Sequence, residues 1–523
     1  MNNSILKQLA VILIVCLMML SPLIASAADT MGDLNIDLEI SATSLHEWMP
    51  SVAYNPIDNE FLVLWHTTGV REQGGENMYS LHGQRIAPDG KFAGEQVHPV
   101  TSIGPERRIL PRAAYNIFTN QYMISFVMGQ EITEWDPFIT IMDHDGGIMY
   151  GPTALSAQLT KANHASIAFN SKRHQYLVVY NDSRNGNADV FGVIIDEAGA
   201  IVKEDFPVNN SAGEQINAYA CYNSTDDTFL INWEDFRYVS AWQEPGNIYG
   251  ALLNGDGTSI KNDIAICDDH EAPDAGDQRV QNIAYNSDRN EFLATWWDSR
   301  PALNGTGIMG RIIMSDGTPA GPDFVVADAP KAQSFPHLVY VEKRKKYFAI
   351  WDDSRNESTT GGDVYARWLD ATGQPEGDDF PICTQTGNQR YSELAYNPLM
   401  DRFLIAWRVE VEEEVPVPGG SGHIKESGGN VMGKIYGMPA FLTGRIVERE
   451  TNSPIDAARV TVMGLGMPRF ETANSGGWFN IPDEDQRQGT YIIMVYKRGY
   501  RIGFTTAKFQ GEPLKITIEL EKR

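Results

Sequence analysis

The chain has 523 residues, of which 42% are hydrophobic, 21% are charged and only 4 are cysteine. That composition excludes wholesale disorder, a collagen-like repeat and a disulfide-stapled miniature scaffold, and the length allows a large core or several domains. Acidic residues outnumber basic ones by 68 to 42, a formal net charge of −26, which argues against nucleic acid and anionic membrane surfaces as general partners.

Residues 1–27 read as a secretory signal: Lys7 supplies the positive start, Leu9–Leu20 the apolar run and Ala25-Ser26-Ala27 the small-residue cleavage site. The apolar run is shorter than the ~20 residues a spanning helix needs. Val15, before Cys16, is too bulky for the usual lipoprotein cleavage pattern. The expectation is therefore an exported protein, periplasmic, cell-surface or extracellular, with no membrane insertion after cleavage. Cleavage leaves Cys221, Cys267 and Cys383, an odd number that implies a free thiol or an intermolecular bond. No pair has C-x-x-C spacing, which argues against a structural zinc site.

Next in the chain comes Asp37-Leu38-Glu39-Ile40, and then a repeat. A small residue, an aromatic and usually Asn recur as Ala53-Tyr54-Asn55, Ala114-Tyr115-Asn116, Ala168-Phe169-Asn170, Cys221-Tyr222-Asn223, Ala284-Tyr285-Asn286, Val339-Tyr340-Val341 and Ala395-Tyr396-Asn397. Each precedes a short polar turn and an apolar strand, such as Phe61–Trp65 or Phe403–Trp407. A third strand follows with a small residue at one place (Gly83, Gly192, Gly250, Gly310, Ala366, Gly433), which leaves room for a bulky aromatic from the adjoining strand; the second repeat has Ile139 there. A hairpin such as Asp256-Gly257 leads to a fourth strand reading Asp-apolar-x-apolar, as in Asp205–Val208 and Asp263–Ile266.

Seven four-stranded units of roughly 57 residues resemble a seven-bladed β-propeller. A six-bladed ring with the second repeat excluded is the alternative count. No fourth strand follows Asn430–Tyr436, whereas Asp37–Ile40 matches that pattern. The N-terminal strand is thus expected to complete the last blade, with Leu38 and Ile40 alongside Lys434 and Ile435, protecting the sheet edges. The propeller is assigned to 28–439. Residues 440–523 lose the repeat and show Leu442–Val447, Val460–Val462, Gly477–Ile481 and Gly489–Val495. This segment resembles the carboxypeptidase regulatory-like module, a small transthyretin-like β-sandwich. The resemblance implies an exported context and contact with sugar or protein, and no peptidase activity.

Connections from fourth to first strand, and from second to third, share one face and are long: His66–Asn77, Met128–Pro137, Phe236–Gly246, Asp268–Asp277 and Arg408–Gly429. Function concentrates on long loops carried by a rigid scaffold. Trp135, Tyr238 and Trp242 in these loops, with Trp48 before the first inner strand, offer flat faces to sugar rings or peptide side chains, or else pack over their own blades. Seven residues before each inner-strand aromatic stand Glu47, Arg108, Ala162, Gln215, Gln278, Gln333 and Gln389, with Arg279 and Arg390 next in two blades. This row either grips a ligand at the channel mouth, through Gln278, Arg279, Gln389 and Arg390 above all, or is an inherited structural contact.

Four blades end the second strand with Asp-x-Arg: Asp182/Arg184, Asp235/Arg237, Asp298/Arg300 and Asp353/Arg355. Repetition in equivalent places argues for a structural duty, the carboxylate accepting turn N–H groups and pairing with the guanidinium. Asp268, Asp269, Asp274 and Asp277 gather oxygen ligands suited to calcium but lack EF-hand periodicity, and a solvated acidic loop explains them as well. His423-Ile424-Lys425-Glu426 matches the short His-x-x-Glu part of a zinc carboxypeptidase pattern; it lies between glycine-rich stretches, and we dismiss it. The rim supplies only Glu47 as a carboxylate, whereas glycoside hydrolysis normally uses two. The expectation is therefore a non-catalytic binding or scaffold protein for a carbohydrate, peptide or protein, with no catalytic residues and no cofactor unless calcium. The alternatives are a secreted propeller hydrolase or lyase acting on polysaccharide, and a structural surface or assembly component.

Overall fold

The computed structural model describes residues 34–41, 46–68, 80–100, 107–129, 135–156, 163–239, 245–268, 276–416, 423–438, 440–464, 468–482, 489–509 and 514–523, and every regular element in it is a strand. Residues 1–27, expected from sequence to be a secretory signal, lie outside the described residues. Strand β1 (Leu34–Ser41) precedes the first blade, made of β2 (His46–Asn55), β3 (Glu60–Thr68) and β4 (Ser80–Ile86). The second holds β5 (Arg107–Asn116), β6 (Gln121–Gly129), β7 (Asp136–Asp143) and β8 (Ile148–Ala154), and the third β9 (Asn163–Asn170), β10 (Gln175–Asp182), β11 (Asp189–Asp196) and β12 (Ile201–Asn209). The fourth holds β13 (Gln215–Asn223), β14 (Thr228–Asp235), β15 (Asn247–Asn254) and β16 (Ser259–Cys267). The fifth holds β17 (Gln278–Asn286), β18 (Glu291–Asp298), β19 (Gly305–Met314) and β20 (Pro319–Ala327). The sixth holds β21 (Lys331–Val341), β22 (Lys346–Asp353), β23 (Asp363–Leu369) and β24 (Pro375–Cys383), and the seventh β25 (Asn388–Asn397), β26 (Arg402–Pro416) and β27 (His423–Gly437).

Within each blade consecutive strands pair antiparallel. The seven inner strands β2, β5, β9, β13, β17, β21 and β25 touch in succession, and β25 returns to β2, so the sheets close into a seven-bladed ring. The first blade departs from the pattern: its outer strand is reduced to two bridges, Gly83 with Val97 and Ile86 with Phe92. The seventh is completed by β1, which pairs antiparallel with β27, Asp37 opposite Lys434 and Leu38 opposite Gly433. Ile36, rather than Ile40, lies opposite Ile435, and the Cδ1 of Ile40 fills the space above Gly433. This strand exchange ties the two ends of the ring together without a covalent bond.

The repeated residues explain how blades stay in register. In six of the seven copies the Asn after the inner aromatic has a side chain that bonds within or beyond its turn. The Oδ1 of Asn223, for example, accepts from Thr225 N at 2.8 Å and Asp226 N at 2.9 Å. Its Nδ2 donates outward to the next blade, to Asn290 at 2.8 Å. Asn55 reaches Asn120 at 3.0 Å in the same way, and Asn397 closes the belt onto Asn59 at 2.9 Å. The Asp-x-Arg pairs are structural too. Asp353 accepts from Trp351 Nε1 at 2.9 Å and Arg355 N at 2.9 Å, and Arg355 also grips Asp379 of the fourth strand at 2.8 Å while lying 3.9 Å over Tyr365. Asp263 and Asp323 serve Arg237 and Arg300 likewise, which gives the recurrent fourth-strand Asp its reason. Gly192 and Gly310 are small because Phe206 and Phe324 of the adjoining strands would lie 2.9 Å from a Cβ.

The connection 408–429 is not an irregular loop. The backbones of β26 and β27 stay paired out to Pro416 and His423, so an extended hairpin stands there and the dismissed His423–Glu426 segment is strand. Beyond the ring, β28 (Ala440–Glu448), β31 (Trp478–Pro482) and β34 (Leu514–Leu520) form one sheet. A second contains β29 (Arg459–Met463), β30 (Arg469–Thr472), β32 (Gly489–Tyr496) and β33 (Gly503–Phe509). The two enclose a core that includes Ile446, Val460, Phe479, Ile493 and Ile518. This sandwich sits on the β2–β3 turn, where Trp478 Nε1 donates to Ile57 O at 2.9 Å and Asn474 Nδ2 to Pro56 O at 2.9 Å.

Candidate functional site

Each inner strand carries the same backbone irregularity. Five residues before the aromatic stand Met49, Leu110, His164, Asn217, Val280, Phe335 and Tyr391, and all seven have φ between 44° and 57°. None is glycine, and a bulky residue in this region costs on the order of 1 kcal/mol or more. The pairing of inner and second strands shifts register beside this point in every blade, for example between Arg390 and Glu393 and between Ile109 and Arg112. Such bulges re-aim the following side chains. Here they turn the residue two places on towards the axis.

The seven residues so placed are Ser51, Arg112, Ser166, Tyr219, Asn282, His337 and Glu393, and together they line a cavity of about 180 Å³. Arg112 forms an ion pair with Glu393, and its Nη2 donates to Tyr219 Oη at 2.9 Å. Glu393 also lies 3.2 Å from His337 Nδ1, which is 3.3 Å from Asn282 Nδ2. Arg112 is also 5.7 Å from the Tyr219 ring centre, and the His164 ring packs on Tyr219 at 4.9 Å. Burial depresses the basicity of His337, the Glu393 carboxylate opposing and Arg112 reinforcing the shift. Burial, with Arg112 adding, lowers His164 to about 3, so it stays neutral, and its buried Nδ1 has no hydrogen-bond partner. Desolvation works against the Arg112 charge, but Glu393 and Tyr219 hold it above its ordinary value. The axis therefore concentrates a carboxylate, a guanidinium, a phenol and two neutral imidazoles.

Buried carboxylates brace this arrangement. Glu234 Oε1 accepts from the bulge residue Val280 N and from Asn217 Nδ2, both at 2.9 Å. Asp352 accepts from Tyr391 N at 2.7 Å and from Ser392 Oγ at 2.8 Å. Burial raises both acids, Asp352 to about 7.

The residues singled out from sequence fall elsewhere. Gln278 and Gln389 are fully buried, and their Nε2 atoms donate to Gly276 O at 2.8 Å and Gln385 O at 3.1 Å. They fasten the entry into the inner strands and do not grip a ligand at the channel mouth. Glu47 is buried as well, accepting from Ser41 Oγ at 2.5 Å and Val431 N at 2.9 Å, so it clasps the closing blade. Arg279 pairs with Asp277 at 2.6 Å, and Arg390 is exposed, 3.9 Å from Glu410. Trp135 is buried in the core between the second and third blades and offers no open face. Trp48 is half-buried, donates to Thr68 Oγ1 at 3.0 Å and has its ring 3.7 Å from the Arg408 guanidinium. Tyr391 links it, at 6.1 Å, to Phe335. Tyr238 is 50% exposed, its hydroxyl 3.4 Å from that of Tyr249, and Trp242 lies outside the described residues.

Of the four acids considered for calcium, Asp269 and Asp274 lie outside the described residues. Asp268 accepts from Tyr249 Oη, and Asp277 from Gly246 N at 2.8 Å besides Arg279. Among the described residues no group of three or more His, Cys, Asp or Glu could hold a metal ion. Cys221, Cys267 and Cys383 are not joined to one another by a disulfide.

Strand pairing and a closed ring around an axial cavity define the class: an all-β propeller followed by a sandwich. No family model matches the chain, and no curated protein matches it in sequence. Solved structures similar to it include the NanB sialidase of Streptococcus pneumoniae, 8% identical with a TM-score of 0.42 over 79% of this chain and 71% of that one. Another is the alpha-L-arabinanase of Penicillium chrysogenum complexed with arabinobiose, 11% identical with a TM-score of 0.40 over 76% and 98%. A third is the propeller domain of the Trilobed protease from Pyrococcus furiosus, 10% identical with a TM-score of 0.38 over 69% and 89%.

The expectation of a non-catalytic binding or scaffold protein is corrected here. It rested on Glu47 being the only carboxylate at the axis, whereas Glu47 is buried in the closing blade and Glu393 stands in the axial ring with Arg112 and His337. The signal that could have found the ring was the position three residues before each inner aromatic, where polar residues of seven copies stand in register.

Proposed function

We propose that the protein is an exported enzyme that cleaves a polysaccharide, as a hydrolase or lyase, with its reacting centre at the axial ring. The contact of Glu393 with both Arg112 and His337 inside the cavity carries this reading. Breaking a glycosidic link requires a proton delivered to the departing oxygen and stabilisation of the charge that develops. The Glu393–His337 pair, once it has taken up a proton from solvent, is placed to deliver it to the departing oxygen, and Arg112 and Tyr219 are placed to meet negative charge. A cavity of about 180 Å³ is smaller than the ~300–1,000 Å³ of ordinary ligand sites. It suits a chain end held by its terminal unit. Trp48, Phe335 and Tyr391 supply aromatic faces on the side where the fourth strands feed the inner ones. The sandwich, in our reading a regulatory-like module, serves as a second contact.

The test is incubation of the full chain with a panel of neutral and anionic polysaccharides. Products are followed by new reducing ends and by the ultraviolet absorbance of an unsaturated sugar. Reducing ends alone identify hydrolysis, and both signals together identify elimination. No cleavage of any member, or equal cleavage by Glu393→Gln, overturns the proposal.

A further inference from the structure

The four-stranded sheet of the sandwich has one face on the core and an unusual outer face, whose edge rings are exposed while Thr461 and Met494 between them are buried. Pairing aligns Phe470, Thr461, Met494 and Phe504 in a row straight across β30, β29, β32 and β33. Phe470 is 55% exposed and Phe504 61%, with Ile492 and Tyr496 also exposed on the same side of the sheet. Strands stand about 4.8 Å apart, so the two phenylalanines are roughly 14 Å from each other. Arg459 and Lys508 are exposed on this face, and no Asp or Glu occupies an outward position on these four strands.

Charge sharpens the contrast. Residues 441–523 hold 12 Lys and Arg against 10 Asp and Glu, so the whole net negative charge of the chain lies before them. An acid-free, cation-bearing aromatic face on so acidic a protein is complementary to an anionic partner. Rings interleaved with the hydroxyls of Thr472, Thr490 and Thr506 match a polymer that offers both apolar ring faces and hydroxyl groups. A bilayer interior has no use for those hydroxyls.

We infer that the outer face of this sheet binds an anionic polysaccharide chain, holding the substrate of the axial site; the inference names the substrate class of the enzyme proposed above and rests on that reading. Affinity electrophoresis of the full-length protein through gels with polygalacturonate, dextran or neither provides the test. Polygalacturonate is expected to retard the protein and dextran not to do so. Phe470→Ala with Phe504→Ala should weaken retardation at least fivefold, and Arg459→Glu with Lys508→Glu should abolish it, with melting temperatures unchanged. Lack of retardation by polygalacturonate, equal retardation by dextran, or undiminished retardation of both variants overturns the proposal. Preferential binding to phosphatidylserine vesicles, or a dimer that the charge-reversal variant dissolves, overturns it as well. Glu393→Gln separates the two readings. Retention without cleavage in the wild type sinks the enzyme and leaves the binding face standing, whereas cleavage unaffected by both surface variants sinks the face alone.

Discussion

The outer part of the propeller and its axis are built by opposite rules. Around the ring, equivalent positions hold the same residue: Asn223 and Asn397 bridge to the next blade, and within their own blades Asp235, Asp298 and Asp353 each take a Trp Nε1 and an Arg. At the axis, seven equivalent positions hold six residue types, from Ser51 to Glu393. A repeat that keeps its residue is solving the same packing problem each time. One that changes residue at a position facing a shared cavity has been released from packing and is available for chemistry.

Variants at the two kinds of position should therefore fail differently. The largest effect is expected from Glu393→Gln, which keeps shape and hydrogen bonding but removes the charge: cleavage should fall by about 10²–10⁴-fold with the fold retained. A rate unchanged to within a factor of three would put the reacting centre elsewhere. Asp353→Ala should do the reverse, destabilising by about 3 kcal/mol because Trp351 Nε1 and Arg355 lose their buried partner, while the folded fraction keeps its turnover. Chemical denaturation with activity measured per folded molecule checks this. Asn397→Ala, which opens the belt where the seventh blade meets the first, should cost about 1–2 kcal/mol. A smaller loss than that for Tyr238→Ala, a 50% exposed aromatic expected to stay within about 0.5 kcal/mol, would refute the belt.

The bracing carboxylates give a pH signature. Asp352 is raised by burial to about 7, against about 3.9 when unfolded. The folded state thus holds more protons between these values, and this group's contribution to stability declines as pH rises from about 4 to about 7. His66 and His164, each lowered to about 3 by burial, act with the opposite sign, withdrawing stability as pH falls below about 6.5. Comparing Asp352→Asn with the wild type isolates the acid. The variant's melting temperature should gain on the wild type steadily across that window, and a constant difference would mean that Asp352 is ionised in the fold.

Much of the propeller was legible because its signals are local. Aromatic-Asn pairs, Asp-Gly hairpins and small third-strand residues announce strands and turns one blade at a time, and the stray Asp37–Ile40 announced the closing strand. The site was not legible in the same way. Gln278 and Gln389 recur at matched positions and looked like a rim, but recurrence marked them as fasteners of the strand entry. Trp135 looked like an exposed loop aromatic and is core. The bulge at Val280 or Tyr391 has no local signature, since neither residue favours positive φ, and a carboxylate from the neighbouring blade helps to impose it.

Sequence by itself determined the repeating unit, the order of its strands and the clasp, because each depends on contacts within a blade or between adjoining strands. Tertiary structure alone decided that Arg112, Tyr219, His337 and Glu393 meet, although they are up to 281 positions apart. Ring closure brings seven inner strands to one axis, and a bulge in each, held in two blades by a carboxylate of the preceding blade, turns one side chain towards it. No spacing rule along the chain encodes that convergence.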